Sequence, residues 1–396
     1  MPHSTDTAVT FLHTADWQLG KPFARVEDVQ KRSLIQQERI GVLHRISEAA
    51  QAQRAEFIVV AGDLFDSPRA TKATVSAACS AIGAMQVPVY AIPGNHDHGG
   101  PGSIWEQAFF QREREHLAPN FSVLLTPEPV ELERAVLFPC PLLRRHESHD
   151  VLAWLRSASL DLDRFGDKPR IVLAHGSVQG FAAQDDEESG DSVAPNFIDV
   201  SRLPKQAFDY VALGDWHGTK QVSPKAWYSG TPELDRFPKG EANEPGHVLV
   251  VTAARGAGPQ VTTLRTARLG WFQLAFEFLD DAGLAQLTEQ LHRLLSGRAQ
   301  TDLLSLELRG TLGIEATTAL EQELEAWQAR LLRLKLANHT VVTPADAELE
   351  LLTGRTADPL IARVAARLVA QCAGTDEDAA VARIALRELH AACTHP

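Results

Sequence analysis

Short hydrophobic runs that break off into polar clusters punctuate the first two-thirds of the chain. Val9–His13 runs into Ala15-Asp16, Phe57–Ala61 into Gly62-Asp63, and Val89–Ile92 into Pro93-Gly94-Asn95-His96-Asp97. Ile171–Ala174 then leads into His175-Gly176 and Tyr210–Leu213 into Gly214-Asp215, with another run at Ala135–Phe138. Rich in β-branched residues and almost continuously apolar, these runs have the pattern of strands buried on both faces. Helical stretches over Val29–Arg54 and Lys72–Met85 separate the early runs, which predicts βαβ connections and a layered α/β domain. Closely spaced runs at Ala226–Ser229, Val248–Thr252 and Val261–Leu264 predict hairpins that complete a two-sheet sandwich flanked by helices. Gln184–Asp191 reads as an acidic exposed loop.

Near Leu269 the pattern changes. Phe272, Leu274, Phe276 and Phe278 alternate with mostly polar neighbours, as in a half-buried strand. A helix over Leu284–Leu295, an alternating strand carrying Leu304, Leu306 and Leu308, a helix with Leu320, Leu324, Trp327 and Leu331 on one stripe, and a run through Val341-Val342 follow. After Pro344 two helices are expected, one opened by Asp358-Pro359 and one by Thr375 with Asp376, Glu377 and Asp378 in its first turn. Leu360, Val364 and Leu368 give the first an apolar face, and Val381, Ile384 and Leu389 the second. These faces either pack on their own domain or dock a partner. The expected division is a large α/β domain over residues 1–268, a small α/β capping unit over 269–344 and a helical segment over 345–396.

The chain has 396 residues, 44% hydrophobic and 22% charged, which fits a large catalytic domain plus a smaller one. It has no apolar run near twenty residues and does not open on a signal-peptide pattern, so a cytoplasmic enzyme away from membranes is expected. Cys79, Cys140, Cys372 and Cys393 lack C-x-x-C spacing and read as packing residues. The formal net charge of −13 disfavours broad polyphosphate binding. Contacts to a nucleic acid must then be local, with Leu143-Arg144-Arg145 and Arg236-Phe237-Pro238-Lys239 as candidates against the plainer reading of solvated surface charge.

The polar clusters carry the chemistry. Hard divalent cations need oxygen and imidazole donors gathered from several segments, and strand ends supply them on a rigid frame. The candidates are Asp16 and Gln18, Asp63, Asn95, His175, and Asp215 and His217. If the chain stays extended there, residues i and i+2 point the same way, so Asp16 with Gln18 and Asp215 with His217 can face one site. Glycines beside the donors allow sharp turns and close approach. A lone Asp or His in such a place is more often a turn or packing residue; five clusters in series, each after an apolar run, point to a shared metal site. His13, His44, His98 and His146 match no such position and are expected in structural or surface roles.

In the order D-x-Q, GDLFD, GNHD, HG, GDWH, the motifs resemble the five-motif signature of the calcineurin-like metallophosphoesterases. The phrase from His13 to Lys21, HTADWQLGK, looks like the SbcD-type DNA repair nuclease branch, and Tyr228-Ser-Gly-Thr-Pro232 resembles that branch's strand after the last metal motif. The motif likeness spans about Phe11–Phe237. From Leu269 onward it is one of architecture, the small unit resembling the branch's DNA-capping domain. The resemblance implies two divalent cations bridged by Asp63, one held also by Asp16, Gln18 and His217 and the other by Asn95, His175 and Asp215. His96 would then be the general acid or transition-state stabiliser beside the scissile phosphate, with Asp66 and Asp97 orienting their neighbours. It also implies DNA as substrate, a 3′→5′ exonuclease or end-processing activity, a homodimer, and an SMC-like coiled-coil ATPase contacted by the C-terminal helices. No G-x-x-x-x-G-K-[ST] loop occurs here, so ATP-driven steps would belong to another polypeptide.

Two positions depart from the family pattern: Gln18 stands where His is usual, and Asp215 where the first His of G-H-x-H is usual. Both exchange nitrogen for oxygen, leaving three carboxylates, two amide oxygens and two imidazoles. That set favours manganese, with magnesium next, over zinc. The competing readings are a small-molecule phosphodiesterase or phosphatase, which suits the acidic charge, and a non-catalytic DNA-end tether.

Overall fold

Leu12, Ile58 and Val60 point to one side of their strands and Phe11, Phe57 and Val59 to the other, and both sets are buried. Each strand therefore lies between two apolar layers, which is why its sequence shows no polar alternation. The protein is described by a computed structural model over residues 8–158, 160–178, 196–238, 244–295, 298–343, 346–372, 374 and 377–394. The segment Gln184–Asp191, Lys239, Pro344 and the expected helix start at Thr375-Asp376 lie outside the described residues. The chain divides into two compact units, Met1–Leu269 and Gly270–Pro396.

The first unit begins with β1 (Val9–Thr14), α1 (Val29–Ala52), β2 (Phe57–Ala61), α2 (Lys72–Gly83), β3 (Val89–Ile92), α3 (Ala108–Leu117) and β4 (Phe121–Val123). It continues through β5 (Val130–Glu131), β6 (Val136–Cys140), β7 (Arg170–His175), β8 (Ser177–Val178), β9 (Phe197–Ile198) and β10 (Tyr210–Gly214). It closes with β11 (Lys220–Ser223), β12 (Ala226–Tyr228), β13 (His247–Ala253) and β14 (Gln260–Arg265). Two six-stranded sheets result among the described residues, in the orders β14-β13-β1-β2-β3-β4 and β11-β12-β10-β7-β6-β5. Strands β1 to β4 are mutually parallel, as are β6, β7, β10 and β12. The expected two-sheet α/β sandwich is the observed fold.

Phe11, Val59, Ile92, Leu137, Ile171, Leu173, Tyr210 and Val251 fill the space between the sheets. The outer face of the first sheet is covered by α1 and α2 through Val42, Leu43, Ile46, Ala78 and Ile82. Both helices start on side-chain caps: Asp28 accepts from the amides of Gln30 and Lys31, and Thr71 from that of Thr74. The outer face of the second sheet packs against Leu155, Phe165 and Phe208.

The expected hairpins form, one on each sheet. β12 joins the second sheet, parallel to β10, and forms its hairpin with β11, whereas β13 and β14 form a hairpin on the edge of the first sheet. β11 escaped the sequence reading because Lys220 and Gln221 are exposed on an edge strand, where no apolar period is imposed.

In the second unit, β15 (Gly270–Phe278), α4 (Gly283–Leu295), β16 (Asp302–Leu312), α5 (Ile314–Arg330), β17 (Arg333–Asn338) and β18 (Val341–Val342) form a parallel sheet in the order β15-β16-β17, with β18 beside β16. Leu287, Leu291, Leu295, Leu320, Leu324 and Trp327 pack on Leu304, Leu306 and Leu308. Among the described residues three helices follow where two were expected: α6 (Asp346–Thr353), α7 (Pro359–Cys372) and α8 (Glu377–Thr394). Glu348 on α6 accepts from the amides of Ile314 and Glu315, capping the start of α5, and Leu352, Ala365 and Leu386 bury Ile314. Only part of each apolar face is used: Leu360, Val381 and Ile384 remain 74%, 59% and 57% exposed. Among the described residues no helix is long and apolar enough to cross a membrane.

Candidate metal centre

The five polar clusters leave the carboxyl ends of parallel strands: β1, β2 and β3 in the first sheet, β7 and β10 in the second. Backbone hydrogen bonds zip the loops together, Asp16 N to Gly62 O at 3.1 Å, Gln18 N to Asp63 O at 2.9 Å and Leu19 N to Leu64 O at 2.9 Å. These segments are not extended. Asp16 (φ 54°), Gln18 (φ 42°), Asp63 (φ 55°) and Asp215 (φ 101°) all lie in the left-handed region, so the i, i+2 alternation anticipated from sequence is not what aims the side chains. Tight left-handed turns aim them, a conformation that costs non-glycine residues and concentrates at functional sites. A Cβ on Gly62 would strike the His175 ring and one on Gly94 the Asp63 carboxylate, which accounts for glycine at both positions.

All eight residues singled out from the sequence meet here. His175 Nε2 lies 3.3 Å from Asn95 Oδ1, 3.5 Å from Asp63 Oδ2 and 3.7 Å from Asp215 Oδ1. Asp16, Asp63 and His175 each offer a donor atom within 4.8 Å of the others. The Asp16 carboxylate accepts from Asp215 N at 3.2 Å, and Gln18 Nε2 is 3.4 Å from His217 Nε2. His96 N donates to Asp63 Oδ1 at 2.9 Å, and its Nε2 is 4.0 Å from Asp63 Oδ2.

Hydrogen bonds fix the tautomers. His175 Nδ1 faces Ala61 O at 2.8 Å and His96 Nδ1 faces Asp66 O at 2.9 Å, so each Nδ1–H donates to a carbonyl and each Nε2 is turned to the site. Asp97 is fully buried; Oδ2 accepts from Phe65 N at 3.0 Å and Oδ1 from Gly94 N at 2.8 Å, tying two donor loops together. His13, also buried, sits between Tyr210 Oη and Leu213 O, a packing role.

Electrostatically the centre is crowded with carboxylates. Burial raises the carboxyls of Asp16 and Asp215, with Asp63 adding to both shifts, while Asp63 itself is held below its ordinary value by His175 and His96 despite its burial. Burial would depress His175, but Asp63, Asp16 and Asp215 raise it to about 9. Three carboxylates, those of Asp16 and Asp63 buried and that of Asp215 partly so, around an imidazole nitrogen and an amide oxygen are the donor chemistry of a hard dication, and the Asp63, Asn95, His175 and Asp215 side fits one.

The sequence reading gave no site role to three contributors. Ser177 Oγ donates to Asp215 Oδ2 at 2.8 Å. Tyr228 Oη donates to Gly176 O at 2.7 Å and accepts from Val178 N at 3.0 Å, so the Tyr228–Pro232 phrase braces the loop after β7. Asp235, with its side chain 1% exposed, binds Lys21 Nζ at 2.8 Å and lies 3.2 Å from His217 Nδ1. Lys21 Nζ also donates to Gln18 Oε1 at 2.9 Å. Arg236, set against a surface role in the sequence reading, is part of the centre: its Nη2 is 2.8 Å from His217 Nδ1 and 3.1 Å from Nε2. Burial and Arg236 lower the His217 imidazole to about 4. Arg144 and Arg145 are exposed.

Residues 9–219 match the family model described as calcineurin-like phosphoesterase. Among solved structures the chain is similar to the protein TT1561 of Thermus thermophilus, at 15% identity and a TM-score of 0.39 over 66% of this chain and 100% of that one. It is also similar to a dimetal phosphatase from Danio rerio, at 13% identity and a TM-score of 0.36 over 64% and 98% of the two chains.

Proposed function

Since this chain belongs to the calcineurin-like phosphoesterases, a family of metal-dependent phosphoesterases, we propose that it is a manganese-dependent nuclease subunit that hydrolyses phosphodiester bonds in DNA. The observation that carries this reading is the meeting of His96, Asp63, His175, Asn95 and Asp215 at the ends of four strands drawn from both sheets. Asp16, Gln18, Asp63, Asn95, His175, Asp215 and His217 are the proposed ligands, and this set would hold up to two divalent cations. When bound, the cations supply a Lewis acid for the phosphoryl oxygen and lower the pKa of water at neutral pH.

The chain's own residues do the rest. Asp63 accepts from the His96 amide, and the Gly94 N–H to Asp97 bond closes the loop that carries His96 at the edge of the carboxylate cluster. With Nδ1–H committed to Asp66 O, His96 presents Nε2 to the substrate, where its protonated form donates to the leaving oxygen. Burial lowers its pKa, but Asp63 and the Asp66 carbonyl raise it by more. The HTADWQLGK and YSGTP phrases and the added α/β unit support the SbcD-type branch, with 3′→5′ or end-processing activity in DNA repair in the cytoplasm. A homodimer and an SMC-like ATPase belong to the same reading, and exposed Leu360, Val381 and Ile384 suit α7 and α8 to docking that ATPase.

The net charge of −13 favours the second reading, a small-molecule phosphodiesterase. Incubating the protein with manganese and either bis-p-nitrophenyl phosphate or labelled duplex DNA separates the two: cleavage of both, lost in His96→Ala, supports the nuclease, and cleavage of the small ester alone supports the alternative. Cleavage of neither would leave the DNA-end tether.

A further inference from the structure

The two halves of the centre differ in where their positive charge comes from. On one side His175 Nε2 and Asn95 Oδ1 face the Asp63 and Asp215 carboxylates, whose other side-chain partners are the His96 amide and the Ser177 hydroxyl. Asn95, Asp63 and Asp215 each bring an oxygen within 3.3–3.7 Å of His175 Nε2, and the His96 imidazole stands 4.0 Å from Asp63 Oδ2. On the other side Asp16 accepts from the Asp215 amide, while Gln18 and His217 are already met by cations. Gln18 has one ligating atom, Oε1, and it accepts from the Lys21 ammonium at 2.9 Å. Turning the amide over would set its NH2 group against that ammonium, donor against donor, so Lys21 fixes the orientation. The Gln18 amide nitrogen then faces His217 Nε2 at 3.4 Å, the lone pair a metal would need. Arg236 Nη2 lies within 3.1 Å of both His217 nitrogens. Buried Asp235 holds this arrangement, reaching Lys21 at 2.8 Å and Arg236 Nε at 3.3 Å.

We infer that in the absence of a phosphodiester this protein holds a single dication, at Asp63, Asn95, His175 and Asp215, and that Lys21 and Arg236 take the place of the second at Gln18 and His217. The inference rests on the proposed phosphoesterase reading and restricts it. A dication at Gln18 must displace an ammonium from its only ligand oxygen or share that oxygen with it, and must sit beside a guanidinium, with like charges in contact in a partly buried pocket. An imidazole at position 18, the usual family residue, would have no carbonyl oxygen for Lys21 to bind. Glutamine at 18 and the Lys21 and Arg236 cations therefore act as one device.

The test counts metal. Chelator-stripped full-length protein is dialysed against Mn2+ and the bound metal measured by mass spectrometry, with electron paramagnetic resonance to detect coupled Mn2+ pairs. The expected result is one Mn2+ per chain, uncoupled, with a second equivalent bound about a hundredfold more weakly. The Q18H/K21A/R236A variant should take up two and show the coupled spectrum. If that variant fails to fold, two single substitutions decide: His217→Ala should keep the one Mn2+ and Asp215→Asn should lose it. Two equivalents of matched affinity in the unaltered protein, or loss of the single Mn2+ in His217→Ala, would overturn the inference while leaving the phosphoesterase reading standing. No Mn2+ bound and no cleavage of bis-p-nitrophenyl phosphate would overturn both.

Discussion

The backbone N–H of His96 donates to Asp63 Oδ1 at 2.9 Å while the His96 imidazole Nε2 stands 4.0 Å from Oδ2 of the same carboxylate. The main-chain bond sets the position of the residue and leaves its ring to act. Truncating the ring should therefore remove proton transfer without dismantling the ligand set. His96→Ala is expected to lower kcat on bis-p-nitrophenyl phosphate by about 10²–10⁴-fold while Mn2+ still binds. Steady-state kinetics beside a metal count checks it, and loss of the metal would show that the ring is a ligand.

Asp97 should matter as much for stability as for rate. Its carboxyl is pushed up to about 7 by burial and the nearby Asp63, yet it still takes two backbone amides from loops that carry donors. Asp97→Ala leaves Phe65 N and Gly94 N without partners inside the fold, and should cost about 2–4 kcal/mol in urea denaturation. Asp97→Asn keeps one acceptor and should cost roughly half as much. Equal stability of all three proteins would refute this.

Acid sensitivity should trace in part to His13. Burial lowers its imidazole from 6.5 to about 3, and it is neutral between Tyr210 Oη and Leu213 O. The unfolded chain takes up this proton below about pH 6.5 and the folded chain does not, so the contribution is complete above pH 6.5 and is lost as pH falls toward 3. The slope is about 1.4 kcal/mol per pH unit within that window. Unfolding free energies of His13→Gln measured from about pH 7 to about pH 4 should fall less steeply than those of the unaltered protein.

The last two helices offer a separation of stability from association. Leu360 and Val381 are exposed, whereas Ala365 and Leu386 on the same helices are buried against Ile314 and Leu352. The L360D/V381D double substitution should change folding stability by less than about 0.5 kcal/mol. It should leave small-ester hydrolysis intact and abolish binding to the proposed ATPase subunit in a pull-down. Ala365→Asp, by contrast, should destabilise the second unit by about 3 kcal/mol or more, because it buries an unpaired charge.

What the sequence revealed depended on how completely burial constrained it. β1, β2, β3, β7 and β10 were legible because both faces of each are packed, leaving no room for a polar residue until the strand ends. β17 was not, since Lys335 and Leu336 are exposed on an edge and its apolar period is broken; α6 was missed because it is one short helix held by Glu348 and Leu352 rather than by a long stripe. In the centre, the order of the glycine-flanked clusters identified residues that meet in space. Sequence order alone did not reveal the turns that aim them. Asp235 gave no signal because a lone Asp after a proline-containing turn is ordinary, and its partners Lys21 and His217 come from distant segments.

The left-handed conformations of Asp16, Gln18, Asp63 and Asp215 set the fold and its chemistry at odds. Each costs on the order of 1 kcal/mol relative to glycine at the same place. Selecting a library of this protein for heat tolerance alone would enrich glycine or asparagine at those four positions, and the survivors would be hardier and inert. Breeding a robust version of the enzyme therefore requires holding these residues fixed and seeking gains in the helices and the outer sheet faces instead.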